Sequence, residues 1–335
     1  MMNVTPTKAT VEPLLSVNDL QASLVLARGT LKAVDGVSFH VNRGETLGIV
    51  GESGSGKTLT SMSIIRLLPK PAGRIVGGSI MFDGVDLAAL PEKDVARSWR
   101  GKRISMVLQD PLTSLNPVYT IADQLGQPFR YHHKEMSRSD IRDASIEMLR
   151  KVRIPAPETR LSNYPHQFSG GMRQRAVIAM AIAAKPELLI ADEPTSALDV
   201  TIQIQIMDLF RKLQAETGVS IIMITHDMGV AAQLCDRVAV MYAGRIVEIG
   251  PAREIFKRPA HPYTQGLLKS IPQLGHRQKR LYAIPGQPPS LFDPPKGCRF
   301  AERCPHVMPK CAEYPPTTKL GNDHSAACWL LEGKQ

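Results

Sequence analysis

The sequence predicts an α/β fold: a parallel sheet with helices on its faces and a phosphate-binding loop at its strand ends. Three observations carry this. Gly51-Glu52-Ser53-Gly54-Ser55-Gly56-Lys57-Thr58 fits the pattern G-x-x-x-x-G-K-[ST] at every fixed position. Apolar, strand-like runs alternate with helical stretches through the middle of the chain, an order that builds a parallel sheet. Gly51, Asp192 and His226 each fall just past the end of such a run, where folds of this kind bind ligands.

Taken in order, Leu14 to Leu26 and Val34 to Val41 read as strands of a small antiparallel layer, the second alternating Val37, Phe39 and Val41 with polar residues. Leu47-Gly48-Ile49-Val50 is a buried strand entering the phosphate loop. Leu59, Met62, Ile65 and Leu68 mark one face of the helix leaving it, which Pro69 stops. Gly77 to Gly84 reads as a short strand closed by a turn, and Ile104 to Leu108 as an apolar strand ending at Gln109. The segment from Gln109 to Gln127, with Asp110-Pro111-Leu112-Thr113-Ser114-Leu115-Asn116-Pro117, is expected to be an exposed loop. A helical insertion follows, with Ser139 as its cap and Ile141, Ala144, Met148, Leu149 and Val152 on its apolar face. Phe168 to Arg175 opens a helix through Ala176 to Ala184, and Leu188 to Ala191 is a strand whose end exposes Asp192 and Glu193. A helix to about Gly218, a strand from Val219 to Thr225 and a hairpin of Arg237 to Tyr242 with Arg245 to Ile249 complete the core.

The last 85 residues hold 13 of the 26 prolines and four of the five cysteines, a loop-rich extension unable to bury much core unaided. The expected division is a tail over 1–13, a nucleotide-binding domain over 14–250 with its helical part at about 112–185, and the extension over 251–335. A chain of 335 residues with 43% apolar residues suits one large domain plus an extension. The net charge of +10 permits an acidic partner such as nucleic acid or a membrane surface, but aromatics are only 5% and no dense basic block occurs, so charge alone decides nothing. The first residues, Met1 to Lys8, lack a basic segment followed by an apolar core, and the longest apolar run, Ala176 to Ala184, has nine residues. A cytosolic chain is expected, reaching a membrane only through partner proteins.

The chemistry begins at the loop. Its glycines let backbone N–H groups face an anion at a helix start, Lys57 would reach the β- and γ-phosphates, and Thr58 would bind Mg²⁺. Asp192 would complete the Mg²⁺ site, and Glu193, pointing elsewhere because strand side chains alternate, would polarise an attacking water. His226 reads equally as a core histidine or a nucleotide contact. Ser169-Gly170-Gly171, a second anion-binding helix start lacking lysine and Mg²⁺ ligands, suggests service to another subunit's nucleotide.

These stretches together resemble the ATP-binding cassette (ABC) ATPases: Gly51 to Thr58 the Walker A loop, Gln109 the Q-loop, Phe168 to Met172 the signature, Leu188 to Asp192 Walker B, Glu193 the catalytic glutamate, Ser196 to Asp199 the D-loop and His226 the switch histidine. The resemblance implies a P-loop NTPase fold of ABC type, with antiparallel and helical subdomains. It further implies ATP and Mg²⁺ bound by Gly51, Ser53, Gly54, Ser55, Gly56, Lys57, Thr58 and Leu59, with Gln109 and Asp192 at the metal. Two cassettes would sandwich ATP head to tail, so that Ser169, Gly170, Gly171 and Asp199 belong to the opposite nucleotide. The signature reads Phe-Ser-Gly-Gly-Met rather than Leu-Ser-Gly-Gly-Gln, and the aromatic that usually stacks on adenine is replaced by Leu24, Leu26 and Leu31.

Gln109 to Pro117, Ser169 to Met172 and His261-Pro262-Tyr263-Thr264-Gln265 are similar to bacterial oligopeptide and dipeptide importer subunits. That resemblance implies a peripheral position on the cytoplasmic face of the inner membrane, with two permease subunits, a second ATPase and an extracytoplasmic binding protein, and no direct nucleic-acid partner. Nickel, glutathione or sugars are alternative cargoes, and a soluble cassette acting on ribosomes or DNA is the rival class. Cys298, Cys304, Cys311 and Cys328, separated by five, six and sixteen residues, lack the paired C-x-x-C of common zinc sites. As in some members of the importer group, they suit a [4Fe–4S] cluster, with zinc or free thiols as alternatives. Cys235 reads as packing.

Overall fold

The computed structural model describes residues 12–196, 198–271, 282–321 and 323–333. Most of the expected tail and Ala197 of the expected D-loop lie outside the described residues. A four-stranded antiparallel sheet in the order β2-β1-β4-β5 is built from β1 (Leu15–Leu26), β2 (Gly29–Val41), β4 (Gly73–Phe82) and β5 (Val85–Asp86). The larger sheet runs β11-β12-β10-β9-β3-β8-β7-β6. Its parallel part is β3 (Thr46–Val50), β6 (Ile104–Val107), β7 (Leu188–Asp192), β8 (Ser220–Thr225) and β9 (Arg237–Tyr242). The antiparallel edge is β10 (Arg245–Pro251), β12 (His324–Ala327) and β11 (Thr317–Gly321).

The parallel strands are apolar throughout because both faces are covered. Leu189 and Ala191 of β7, with Ile221 and Met223 of β8, enter a core shared with the helices. Their neighbours Leu188, Ile190, Ile222 and Ile224 enter a second core against the antiparallel sheet. This alternation is the strand's period of two applied to two cores at once. It holds the C-terminal ends of β3, β7 and β8 side by side.

Helix α1 (Lys57–Ile64) follows the phosphate loop and ends sooner than the apolar stripe implied, since Arg66 is left-handed (φ 56°) well before Pro69. Single turns α2 (Glu92–Asp94) and α3 (Pro111–Ser114) lead to the helical part: α4 (Ile121–His132), α5 (Arg138–Lys151), α6 (Pro157–Arg160) and α7 (Gly170–Ile182). The loop expected to reach Gln127 is cut short by α4, because Thr120 and Asp123 form a capping box that starts a helix there. The cap of α5 is Ser137, not Ser139: Ser137 has Asp140 three residues on, and each side chain accepts the other's backbone N–H.

Beyond α7 come α8 (Val200–Thr217), α9 (Met228–Leu234), α10 (Ala252–Lys257) and α11 (Pro262–Lys269). The extension does not stand apart. It adds β12 to the edge of the main sheet and buries Tyr263 and Phe300 in the helix-side core, so it draws on the main core rather than building its own. Among the described residues, no helix is long and apolar enough to cross a membrane.

Candidate active site

The phosphate loop crosses from β3 to α1 over two close approaches. A Cβ at Gly51 would collide with the Met241 carbonyl oxygen, and one at Gly56 (φ 102°) with that of Ala33, whereas Gly54 faces open space. The loop is thus pressed against β2 and β9 on one side and open on the other. The Ser55 hydroxyl is buried there without a hydrogen-bond partner, as suits an anion's oxygen. Lys57 lies buried, its ammonium donating to the carbonyls of Gly51 (2.8 Å) and Glu52 (3.0 Å). Burial lowers its pKa, an effect opposed by Glu193, Asp192 and Glu52.

The strand ends bring the other polar groups to this loop. The Thr58 hydroxyl donates to the Asp192 carboxylate at 3.3 Å, joining α1 to the end of β7. Burial raises the Asp192 pKa, against the lowering hydrogen bond from Thr58. Glu193 is left-handed (φ 45°), and its N–H donates to the Ile224 carbonyl, so the chain turns sharply off the sheet and the two carboxylates part. One Glu193 oxygen, Oε2, then takes Gln109 Nε2 at 3.1 Å and lies 3.2 Å from His226 Nδ1. His226 is therefore a partner of this carboxylate and not a core residue; its side chain is 60% exposed.

Ser169 caps α7 through the Met172 N–H, and Asp199 caps α8 through the Ile202 N–H. A Cβ at Gly171 would stand 2.8 Å from Ile202 Cγ2, so this glycine is what lets the two helix starts touch. Ser169 and Gly170 are exposed, and the hydrogen bonds of Ser169 stay within its own helix.

The extension supplies contacts that sequence reading missed. Tyr263 accepts the Glu52 N–H at 2.9 Å, and Arg303 makes two bonds to the Glu52 carboxylate, at 2.7 and 3.0 Å. The β1–β2 turn carries no aromatic residue, but its Arg28 lies over the ring of Phe292 from the extension, 4.2 Å from the centroid. Only His261 to Gln265, singled out as a family-like stretch, could have drawn attention to Tyr263; Arg303 has no local signal.

Cys298, Cys304, Cys311 and Cys328 line one closed pocket, and none is in a disulfide. Burial pushes the Cys298 thiol up to about 11, and the other three cysteines push it the same way. Among the described residues, no group of three or more His, Cys, Asp or Glu is arranged to hold a metal ion. Cys235 is packing as expected: it is buried, its Sγ would stand 2.7 Å from a Cβ at Gly48, and its pKa is pushed up to about 12.

Comparison with known proteins accounts for both halves of the chain. Residues 34–196 match the family model described as ABC transporter, and residues 247–311 the one described as oligopeptide/dipeptide transporter, C-terminal region. The dipeptide transport ATP-binding protein DppD of Bacillus subtilis is 53% identical over 323 residues, covering 96% of each chain. The chain belongs to the ABC transporter ATP-binding proteins. Within that family it falls in the oligopeptide/dipeptide branch, and it is an ATPase cassette. The oligopeptide transport ATP-binding protein OppD of Salmonella typhimurium is 48% identical, over 94% of this chain and 93% of that one. Among solved structures, the dimeric post-hydrolysis state of the cassette MJ0796 bound to ADP and Pi is similar with a TM-score of 0.64. It is 26% identical and covers 71% of this chain and 99% of its own. The ABC fold expected from the sequence is the fold observed.

Proposed function

We propose that this cassette hydrolyses ATP on the cytoplasmic face of a membrane to drive uptake of dipeptides or oligopeptides through two permease subunits. The observation that carries the chemistry is the Glu193 carboxylate held between Gln109 and His226, beside a separate Asp192–Thr58 pair. Glu193 takes the proton of the attacking water, while His226 and Gln109 fix its orientation. Lys57, Ser55 and the loop N–H groups receive the phosphates, and Lys57 leaves its two carbonyl partners to do so. Thr58, Asp192 and Gln109 supply hard oxygen donors suited to Mg²⁺, which when bound neutralises phosphate charge. Ser169, Gly170, Gly171 and Asp199 serve the nucleotide of a second cassette, identical or similar, which the outward exposure of Ser169, Gly170 and Asp199 supports.

Peptide cargo is supported by the relatives, which are named for dipeptide and oligopeptide transport. A groove of about 830 Å³ supports the permease contact. It opens beside the Gln109 loop, lined by Leu108, Thr113 and Ser114 on one side and Tyr131 and Val177 on the other. A binding protein outside the membrane would select the cargo. We read the four-cysteine pocket as a [4Fe–4S] ligand set, with zinc the alternative, a reading supported by four thiols lining one pocket. Iron and sulfide assays on protein purified without oxygen test it: about four of each per chain support the cluster, and zinc in their place refutes it.

The reaction is tested with Glu193→Gln, which keeps the shape but not the base. It should bind ATP normally, form a stable nucleotide-dependent pair by size-exclusion chromatography, and lose at least about a hundredfold in turnover. Near-normal phosphate release by that variant would remove Glu193 from the role. The cargo is tested in vesicles holding the cassettes and permeases, where dipeptide-loaded binding protein should stimulate hydrolysis.

A further inference from the structure

Glu52, the second residue of the phosphate loop, is gripped from a segment 251 positions away in sequence. Arg303 is buried and its guanidinium meets the Glu52 carboxylate at 2.7 and 3.0 Å, the fork geometry that fixes direction as well as distance. The same guanidinium is itself held by the carbonyls of Pro285 (2.9 Å) and Ile284 (3.3 Å) and by the Tyr242 hydroxyl at 3.2 Å. Tyr263, fully buried and packed on Tyr242 with centroids 4.5 Å apart, takes the Glu52 N–H. The Glu52 carbonyl meanwhile accepts from the Lys57 ammonium. All three polar parts of one loop residue are therefore tied down, two by the extension and one by the lysine.

We propose that the C-terminal extension is a clamp on the phosphate loop: Arg303 and Tyr263 act as positioning residues that hold Glu52, and through its backbone keep the loop in the conformation that receives the triphosphate. The clamp lowers the cost of binding, because a loop already ordered loses less freedom when nucleotide arrives. It acts before chemistry, so it belongs to affinity and not to turnover. This rests on the reading of Gly51 to Thr58 as the nucleotide site.

The test is a double-mutant cycle on the full chain with its membrane partners, using ATP affinity from a fluorescent analogue together with KM and kcat. Arg303→Met and Glu52→Gln should each raise Kd and KM for ATP about five- to thirtyfold, with kcat within about twofold of wild type. The double variant should be no worse than either single one, because both remove the same bond. Arg303→Lys, which keeps charge without the fork, should recover part of the loss, and Tyr263→Phe, which removes only an oxygen, should cost about threefold. A structural effect alone would lower kcat and the melting temperature along with affinity. Wild-type ATP affinity in Arg303→Met and Tyr263→Phe overturns the clamp, as do losses that multiply in the double variant. Lys57→Ala separates this from the underlying reading: if it binds ATP normally, the nucleotide site itself is misassigned, whereas if it loses binding while the clamp variants do not, only the clamp fails.

Discussion

The acid sensitivity of the extension follows from one buried ring. His261 is 1% exposed, and its Nδ1 accepts the Tyr263 N–H at 3.0 Å to start α11. Protonation would turn that acceptor into a donor aimed at a donor. Burial is the main cause that pulls its pKa from 6.5 to about 4, only partly offset by the nearby Glu248 carboxylate. The folded state therefore binds the proton less readily than the unfolded chain. Its stabilisation is complete above pH 6.5 and is lost as pH falls toward 4. Each pH unit in that window is worth about 1.4 kcal/mol, so about 2 kcal/mol should be gone at pH 5. The perturbation is His261→Asn, which can still accept the Tyr263 N–H but cannot titrate. Urea unfolding at pH 8, 6.5 and 5 is the assay. The variant should be less stable at pH 8 through lost packing, and the gap from wild type should shrink by about 2 kcal/mol by pH 5. If both proteins lose stability in parallel, the imidazole is not the titrating group and the reasoning fails.

Two other outcomes are expected. Gly56→Ala combines a left-handed backbone (φ 102°) with a collision against Ala33, so it should abolish ATP binding in a titration and cost upward of about 2 kcal/mol in stability. Ile222→Ala empties a fully buried position between the two sheets and should cost about 2–5 kcal/mol by denaturant unfolding, with ATP affinity in the surviving folded protein unchanged.

What could be read from the sequence was whatever has a local signature. The phosphate loop has fixed residue types because a tight turn against Met241 and Ala33 admits only glycine at Gly51 and Gly56. The strands β3, β7 and β8 declared themselves as unbroken apolar runs because each feeds two cores. Asp192 and Glu193 were legible as a pair at a strand end, but they part through a turn at Glu193, beyond the end of β7, and not through strand alternation. The left-handed turn at Glu193 that swings it onto Gln109 and His226 was not legible, since neighbouring strands impose it. Ser137 and Ser139 look alike until the spacing to an acidic residue is counted. The extension was the least legible part. Its hold on the cassette includes single long-range bonds, Arg303 to Glu52 and Arg299 to Asp35, which leave no periodic trace in a chain rich in arginine and proline.

One carboxylate deep in the sheet sets the terms on which the chain can be shortened. Glu248 is 1% exposed on β10, and its oxygens are met by the N–H groups of Ala260 and His261 and by His324 Nε2, three partners that all lie beyond position 251. A protein trimmed to end at β10 would keep the acid and forfeit those three contacts, while uncovering the strand that β12 now shields. The boundary visible in composition is thus no place to cut: the cassette is finished from its own far end, and a severed version should come out of cells as aggregate.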